Sequence, residues 1–365
     1  MKSCGVDILG MPIEEIIVVL VLFTLAFLVA FLLAPILARF LTRYQCWKKT
    51  VRTEAPDGSG TPLFASLHKE KEINTPRMAG VLFWGTTLIL AVVFWILSYY
   101  SPTWFEPFNF LSRSQTWIPL FTLVSASVLG LIDDLAVVKG WGASKMGGGI
   151  KFRHRLLVVF LISLVGAYWF HYKLGWDTIH LPFDGEISLG FGYVILFILV
   201  MLGLFSGSVI DGVDGLAGGA FAIFFASFTA IALARGQFEL AAFSAILVGT
   251  LCAFLWFNIP PARFYMGETG ILGLTTTMAV VAFLTNTVLL LPLIGFILFL
   301  EIGSVILQLL SKKFRHGKKI FLIAPLHHHF EAKGWPAYQV TMRFWLITGL
   351  SAAVGLIVYL IDRTT

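Results

Sequence analysis

The sequence predicts an all-α polytopic membrane protein that forms one integral-membrane domain over residues 1–365. Hydrophobic residues make up 58% of the chain and charged residues only 13%, whereas a soluble domain carries about 25% charged residues. The mean hydropathy is +0.87, and apolar stretches of the ~20 residues that cross a bilayer as a helix recur throughout. This composition excludes a soluble, disordered or collagen-like chain. Three scattered cysteines predict free thiols.

Ten apolar stretches are candidate membrane spans. They lie at about 16–38, 78–100, 117–132, 155–172, 189–208, 216–234, 238–257, 270–291, 293–310 and 343–361. The first follows Glu14 and Glu15 and is too long for the core of a signal peptide, so we expect it to be retained. The eighth and ninth are nearly continuous, and we predict a break between them at Pro292 because proline interrupts a helix interior.

The basic residues divide unequally between the two sets of loops that ten spans create. Of the 26 lysines and arginines, 21 fall in one set and five in the other set and the termini. The positive-inside rule makes the first set cytoplasmic and places both termini outside. In one outer loop, alternating residues around Asp184-Gly185 predict a small β-hairpin.

Most of the candidate chemistry falls at the predicted cytoplasmic face. The candidate residues are Asp133, Asp134, Asp211, Asp214, Glu268, His327, His328 and His329. Ionisable residues close to a bilayer core are costly, so each is a candidate functional residue. Sidedness was assigned from lysine and arginine alone, and the convergence of acids and histidines on that face therefore indicates an active site there.

Asp133 and Asp134 are predicted to end the third span. Adjacent helical residues point ~100° apart, so the two carboxylates are expected to have different roles. One would act as a base, and the other would bind a metal or a neighbouring helix. The alternative is a pair of solvated acids, although the negative end of a helix disfavours them.

Asp211-Gly-Val-Asp214-Gly is predicted to open the sixth span, with both acids on one face of a helical turn. The glycines permit close backbone approach. The helix start attracts phosphate, and the acids could instead hold Mg²⁺. The alternative is an N-capping aspartate at a glycine-packed helix interface.

The last two cytoplasmic loops add further candidates. Tyr265 is placed to stack on a base or a sugar, and Glu268 is either a metal ligand or the capping residue of a tight loop. Three adjacent histidines make a poor tetrahedral zinc set, so we expect them beside phosphate. Together these features indicate phosphoryl-type transfer between a soluble phosphate-bearing donor and a lipid acceptor.

Four motifs identify a family resemblance that covers nearly the whole chain. They are LGxxDD at Leu129–Asp134, DGxDGLA at Asp211–Ala217, LWFNxxPAxxxMG at Leu255–Gly267 and PLHHHFExKGW at Pro325–Trp335. With them the chain resembles the polyprenyl-phosphate N-acetylhexosamine-1-phosphate transferases. The last motif is typical of the phospho-N-acetylmuramoyl-pentapeptide branch.

The resemblance implies an activity, a cofactor and partners. Phospho-MurNAc-pentapeptide would pass from UDP-MurNAc-pentapeptide to undecaprenyl phosphate, giving lipid I and UMP in peptidoglycan biosynthesis. The enzyme would use Mg²⁺ in the bacterial cytoplasmic (inner) membrane, with its active site on the cytoplasmic face. Family members are often dimeric, which implies a homodimer among membrane lipids, and no nucleic acid is expected as a partner.

The resemblance also implies roles for individual residues. The catalytic residues would be Asp133, Asp134, Asp211 and His327. The substrate-binding residues would be Lys71, Thr75, Ser208, Asp214, Asn258, Tyr265, His328 and His329. The metal ligands would be Asp211 and Glu268. One aspartate of the adjacent pair would deprotonate the lipid phosphate.

The chain departs from the family pattern at several motif positions. Glu268 stands where the family has aspartate, Phe205 and Ser208 replace two asparagines, and Val137 replaces a lysine. Two alternatives therefore stay open: a transferase that uses another UDP-sugar such as UDP-GlcNAc, or a catalytically impaired paralogue that binds nucleotide or lipid. A secondary transporter is disfavoured, because it would carry its charges near the bilayer midplane.

Overall fold

The computed structural model describes residues 13–49, 75–142 and 149–364. The longer helices are α1 Ile13–Arg43, α2 Val81–Tyr100, α3 Trp117–Val138, α4 Phe152–Tyr168, α5 Gly192–Phe205, α6 Leu216–Ala234, α7 Phe238–Asn258, α8 Gly267–Leu284, α9 Phe296–Phe314, α10 Leu326–Ala332 and α11 Ala337–Thr364. Short helical pieces lie at Pro102–Phe105, Glu106–Phe108, Trp169–Lys173, Ser206–Ile210, Val288–Leu290 and Leu291–Ile294. Strands β1 (Thr178–Leu181) and β2 (Gly185–Ser188) pair antiparallel.

Within these described ranges, nine helices are long and apolar enough to cross a membrane. The count rises to ten if Val288–Ile294 and Phe296–Phe314, bent by 84° relative to each other, are taken as one span. The hairpin forms where the alternating residues predicted it, with Ile179 opposite Ile187. The predicted all-α membrane fold with one small hairpin is therefore confirmed.

Three local predictions were wrong. The third span continues to Val138, so Asp133 and Asp134 lie inside α3 and not at its end, because the apolar pattern resumes after them. The eighth span ends at Leu284, well before Pro292. Pro292 instead lies in the first turn of the short helix Leu291–Ile294, where a missing N–H is tolerated. Asp211 and Asp214 precede α6, which begins only at Leu216, so they lie in a turn and not on a helix.

Helix α8 forms the centre of the bundle. Every residue of this helix except Glu268 is buried. Its closest neighbour is α3, and small residues allow the close approach: a Cβ on Gly130 would collide with the backbone of Glu268. Such small-residue contacts are the usual means by which helices pack in lipid. The arrangement fixes the start of α8 directly against the paired aspartates of α3.

The chain direction sorts the helix ends into two faces of the bundle. Helices α3, α5 and α7 run toward one face, and α6, α8 and α11 start there. We call this the site face, because Asp211, Asn258 and Glu268 lie at or beside these ends. Asp133 lies close to it, five residues before the end of α3. The hairpin and the far ends of α6, α8 and α11 lie at the opposite face.

Candidate active site

Asp134 is completely buried and fixes the start of α8. Its Oδ2 accepts hydrogen bonds from the backbone N of Thr269 at 2.9 Å and from the Thr269 hydroxyl at 2.8 Å. Its Oδ1 accepts from Nε of Arg77 at 3.4 Å. A carboxylate at a helix start satisfies backbone N–H groups that have no partner within the helix. Asp134 therefore acts as a buried anchor, with both oxygens engaged by the protein.

Asp133 points to different partners, as the ~100° rotation between neighbours predicted. Its Oδ1 accepts a hydrogen bond from the backbone N of Ile150 at 2.6 Å, and its Oδ2 lies 3.4 Å from Nη1 of Arg155. The same Nη1 lies 2.8 Å from Oε1 of Glu268. Arg155 thus bridges two acids that come from α3 and α8.

Glu268 is the one residue of α8 that is not buried. Its Oε1 is paired with Arg155, but its Oε2 is buried and has no hydrogen-bond partner within the described residues. A buried carboxylate oxygen without a donor is costly. Oε2 is therefore available to a cation or to a ligand that reaches the start of α8.

Asp211 lies in the turn between the Ser206–Ile210 helix and α6, and it is half-buried. Burial raises the pKa of its carboxyl to about 7. Arg77 opposes that rise, whereas the nearby carboxylates of Glu268, Asp134 and Asp214 add to it. The acids of three motifs therefore share one electrostatic environment that favours a cation or a proton at Asp211.

The carboxylate of Asp214 faces a second part of the site. Its Oδ2 accepts a hydrogen bond from the backbone N of Ala262 at 3.2 Å, and its side chain also bonds the phenol of Tyr265. The same phenol bonds the side chain of Thr75. Burial raises the pKa of this phenol, and the charges of Asp214 and Asp211 raise it further. The structure therefore brings Thr75, Asp214 and Tyr265 together.

Asn258 ends α7 and ties two loops to each other. Its Oδ1 accepts a hydrogen bond from the backbone N of Gly215 at 3.0 Å, and its Nδ2 donates to the carbonyl of Phe264 at 2.8 Å. The side chain is buried. These contacts hold the Asp214 turn against the Tyr265 loop.

The three histidines lie on the short helix α10, whose start is held by Glu301. This glutamate is completely buried, and its two oxygens accept hydrogen bonds from the backbone N of Leu326 at 2.8 Å and of His327 at 3.2 Å. The ring Nδ1 of His327 lies 3.1 Å from Oε2 of Glu301. Glu301 therefore sets both the position of α10 and the environment of His327.

The histidine and DGxDGLA motifs meet at Gly212. A Cβ on Gly212 would collide with Nε2 of His327 and would lie 2.9 Å from Nε2 of His328. Only glycine allows the Asp211 turn to approach these rings. His328 is turned by its partner Glu331, whose Oε2 lies 2.7 Å from its Nδ1. Nε2 of both rings therefore faces the Asp211 turn.

His329 points elsewhere. Its Nδ1 accepts a hydrogen bond from the backbone N of Leu322 at 3.1 Å, and its ring packs edge-on against Phe321. Burial and the charge of Lys333 both lower its pKa. His329 therefore holds the segment before α10 in place and faces away from the Asp211 turn.

Of the two remaining predicted substrate-binding residues, the structure describes Ser208 but not Lys71. Ser208 lies one turn before Asp211, half-buried, and its carbonyl accepts a hydrogen bond from the Asp211 backbone N at 3.4 Å. Lys71 lies outside the described residues.

Arg77, Arg155 and Glu301 contribute to the site, but the sequence analysis did not single them out. Glu301 had a usable signal, because it is an acid in the middle of the ninth apolar stretch and such residues are functional candidates. The two arginines had no such signal. Arg77 lies in a loop and Arg155 in the first turn of α4, and only the fold shows which carboxylates they meet.

Within the described ranges, no group of three His, Cys, Asp or Glu side chains forms a complete metal cage. Mg²⁺ does not need one, since it binds one or two carboxylates together with water and substrate phosphates. The unpartnered Oε2 of Glu268 and the acid-rich surroundings of Asp211 are hard oxygen donors of this kind. The residues present therefore fit such an ion.

Comparison with known proteins identifies the family. A model for glycosyl transferase family 4 matches residues 116–286, from the start of α3 to the end of α8. A phospho-N-acetylmuramoyl-pentapeptide-transferase from Geobacillus sp. (strain WCH70) is 35% identical over 79% of this chain and 84% of the relative. One from Listeria innocua is 34% identical over 85% of this chain and 89% of the relative. The chain therefore belongs to the family of the phospho-N-acetylmuramoyl-pentapeptide-transferases.

Proposed function

We propose that this protein transfers phospho-MurNAc-pentapeptide from UDP-MurNAc-pentapeptide to undecaprenyl phosphate and releases UMP. The observation that carries the proposal is the meeting of four motifs from distant parts of the chain at one face of the bundle. The Asp211 turn lies against His327 and His328, and Asp134 fixes the helix start that presents Glu268. The names of its relatives support the same donor.

We place the site face in the cytoplasm, because the ten predicted spans assign 21 of the 26 basic residues to the loops of that side. The names of the relatives support the bacterial inner membrane as the location. A soluble nucleotide donor is then available to the site, and an acceptor lipid can present its phosphate there from the cytoplasmic leaflet. A homodimer is part of the proposal and is tested by the mass of the detergent-solubilised protein.

In the proposed reaction, an oxygen of the lipid phosphate attacks the β-phosphorus of the donor. A new P–O bond forms, the bond from that phosphorus to the bridging oxygen breaks, and UMP leaves with the electron pair. Asp211 and Glu268 would hold Mg²⁺, which when bound neutralises charge on the donor diphosphate.

We assign the base to Asp133 and not to Asp134. Both oxygens of Asp134 are engaged by Thr269 and Arg77. Oδ2 of Asp133 lies 3.4 Å from Nη1 of Arg155, and that nitrogen lies closer to Glu268, at 2.8 Å. This oxygen would take the proton from a monoprotonated lipid phosphate. Asp134 is then a positioning residue, because it holds the helix start from which Glu268 projects.

We assign the nucleoside to the side of Asp214, Tyr265 and Thr75. The ring of Tyr265 offers a surface for stacking, and its hydroxyl is fixed by the other two side chains. Asn258 holds these residues in place by joining the Asp214 turn to the Tyr265 loop through two hydrogen bonds. His327 and His328 would lie on the diphosphate side, where Nε2 of each faces the Asp211 turn.

The experiment is UMP release by the purified, lipid-supplemented protein with undecaprenyl phosphate and Mg²⁺. UDP-MurNAc-pentapeptide and UDP-GlcNAc are offered in parallel. Release with the muramoyl donor alone supports the proposal. Release with UDP-GlcNAc alone would move the chain to the sister activity. No release with either, from protein that melts cooperatively, would favour an impaired paralogue.

A further inference from the structure

A cavity of about 290 Å³ opens at the opposite face of the bundle. It lies between the β-hairpin, the turn after α6, the turn after α8 and the end of α11. Helix α6 separates it from the site face, and its 19 residues span about 28 Å at 1.5 Å per residue. A ligand group in this cavity therefore cannot also lie in the candidate active site.

Two arginines, Arg235 and Arg363, line this cavity. In the part of the chain that the structure describes, the opposite face carries only two further basic residues, Arg113 and Lys173. The opposite face has few positive charges. Two of its four described lysines and arginines therefore line the same cavity. Positive charge on this side is unusual in membrane proteins, and its concentration calls for a functional cause.

Neither arginine is neutralised by a carboxylate among the described residues. Arg235 donates a hydrogen bond to the hydroxyl of Tyr359, and Arg363 donates to the backbone carbonyl of Ala234. A guanidinium has five N–H donors. Both side chains are thus held in place by neutral acceptors and keep their charge and further donors for a ligand.

The acid in the cavity wall, Asp362, is engaged by the hairpin. One of its oxygens lies 2.5 Å from Nε2 of His180, and the other accepts a hydrogen bond from the backbone N of Phe183 at 2.6 Å. These contacts fix the hairpin over the end of α11. The carboxylate is directed to the hairpin and carries one negative charge against the two positive charges of the arginines, so the cavity wall keeps a net positive charge.

An apolar groove adjoins the charged cavity, and Leu289 lines both. The groove has a volume of about 340 Å³ and runs between α5 and residues 288–292, along side chains such as Leu199. A cationic cavity beside an apolar groove matches an amphiphile with an anionic head and a hydrocarbon chain. A free inorganic anion would use only the first of the two.

We propose that this cavity binds the phosphate of an anionic phospholipid from the leaflet opposite the candidate active site. Arg235 and Arg363 would bind the phosphate oxygens, for which the planar guanidinium is well suited. One acyl chain would lie along the groove past Leu289. The inference does not depend on which sugar nucleotide the protein uses.

The test is native mass spectrometry of the full chain, delipidated in detergent and titrated with phosphatidylglycerol. The Arg235→Gln/Arg363→Gln pair should bind one lipid fewer, or bind it about a hundredfold more weakly, and each single variant about tenfold more weakly. Arg113→Gln is the matched control, because it removes a charge from the same face outside the cavity, and it should bind like the parent. Equal binding by the parent, the control and the double variant would overturn the proposal.

Two further arms keep the test decisive. Arg235→Lys/Arg363→Lys retains the charge, so it should bind more tightly than the glutamine pair; if the glutamine pair does not fold, the lysine pair must still bind more weakly than the parent. Inorganic phosphate, offered alone up to millimolar concentration, should not displace the lipid. Displacement by phosphate, or equal affinity for zwitterionic phosphatidylcholine, would contradict an anionic lipid.

Discussion

The acids of the site face fall into two groups whose surroundings differ sharply. The buried anchors, Asp134 and Glu301, have no exposed surface. Asp134 caps the start of α8 with Oδ2 while its Oδ1 accepts from Arg77, and Glu301 caps the start of α10 with both oxygens. The edge acids, Asp211 and Glu268, are half-buried, and among the residues that the structure describes Oε2 of Glu268 has no hydrogen-bond partner. The comparison teaches that acids whose two oxygens are both held firmly by protein donors serve the scaffold, whereas acids at the edge of the site are available for the chemistry.

The largest predicted effect is the loss of activity on changing an edge acid. Asp211→Asn should lower kcat by about a hundred- to a thousandfold, the size typical of removing one electrostatic group from an active site. Burial already disfavours the charged form of this side chain, so removing the charge should not lower the melting temperature. UMP release and thermal melting of the same sample measure the two effects. A melting temperature that falls together with the activity would place Asp211 among the anchors.

Changing a buried anchor should lower the melting temperature together with the activity. Asp134→Ala removes the cap of α8 and leaves the Arg77 guanidinium without this partner, a loss of about 3 kcal/mol. The melting temperature in detergent should therefore drop by several degrees. Activity should fall as well, because the start of α8 carries Glu268. An unchanged melting temperature would show that Asp134 does not anchor α8.

Glu301→Gln tests the second anchor with a smaller change. Glutamine can accept only one of the two backbone hydrogen bonds that start α10, and we expect a loss of about 1–2 kcal/mol. Glu331→Gln is the matched control, because Glu331 contacts His328 on the same helix but does not cap its start. Thermal melting should separate the two variants. Equal melting temperatures would contradict the capping role of Glu301.

The smallest expected effect is that of Glu268→Asp, which introduces the residue typical of the family. The shorter side chain should lose its 2.8 Å contact with Arg155 and free both oxygens. The Mg²⁺ concentration that gives half-maximal activity should shift by less than about tenfold, with the melting temperature unchanged. Loss of all activity would show that this chain has adapted its site to glutamate through Arg155.

Much of the fold followed from the sequence because hydropathy reports the average environment of a segment. It located nine helices and the bent pair, and the turn residues located the hairpin. It did not locate the break after Leu284, where a polar turn and not the proline ends the helix. A helix end depends on which backbone groups find partners, and that depends on neighbours far away in sequence.

The candidate site followed from the sequence only in part, for a related reason. The motifs contained Asp133, Asp211 and His327, and the structure brings their segments together. The partners of these residues were missed, because Arg155 acquires its role only when α4 packs beside α3 and α8, and Glu301 only when α9 packs against α10. Sequence patterns indicate which residue types suit a reaction. Contacts between segments decide which of those side chains are already held by protein hydrogen-bond partners and which remain available to a substrate.

The central claim is that the edge acids carry out transfer of a phosphosugar to a lipid. The most direct measurement is detection by mass of undecaprenyl-diphospho-MurNAc-pentapeptide formed by the parent, Asp211→Asn and Arg113→Gln proteins with Mg²⁺. The account predicts this product from the parent and from Arg113→Gln, and its loss in Asp211→Asn at an unchanged melting temperature. Equal product from Asp211→Asn and the parent, or no product from a folded parent, would contradict it.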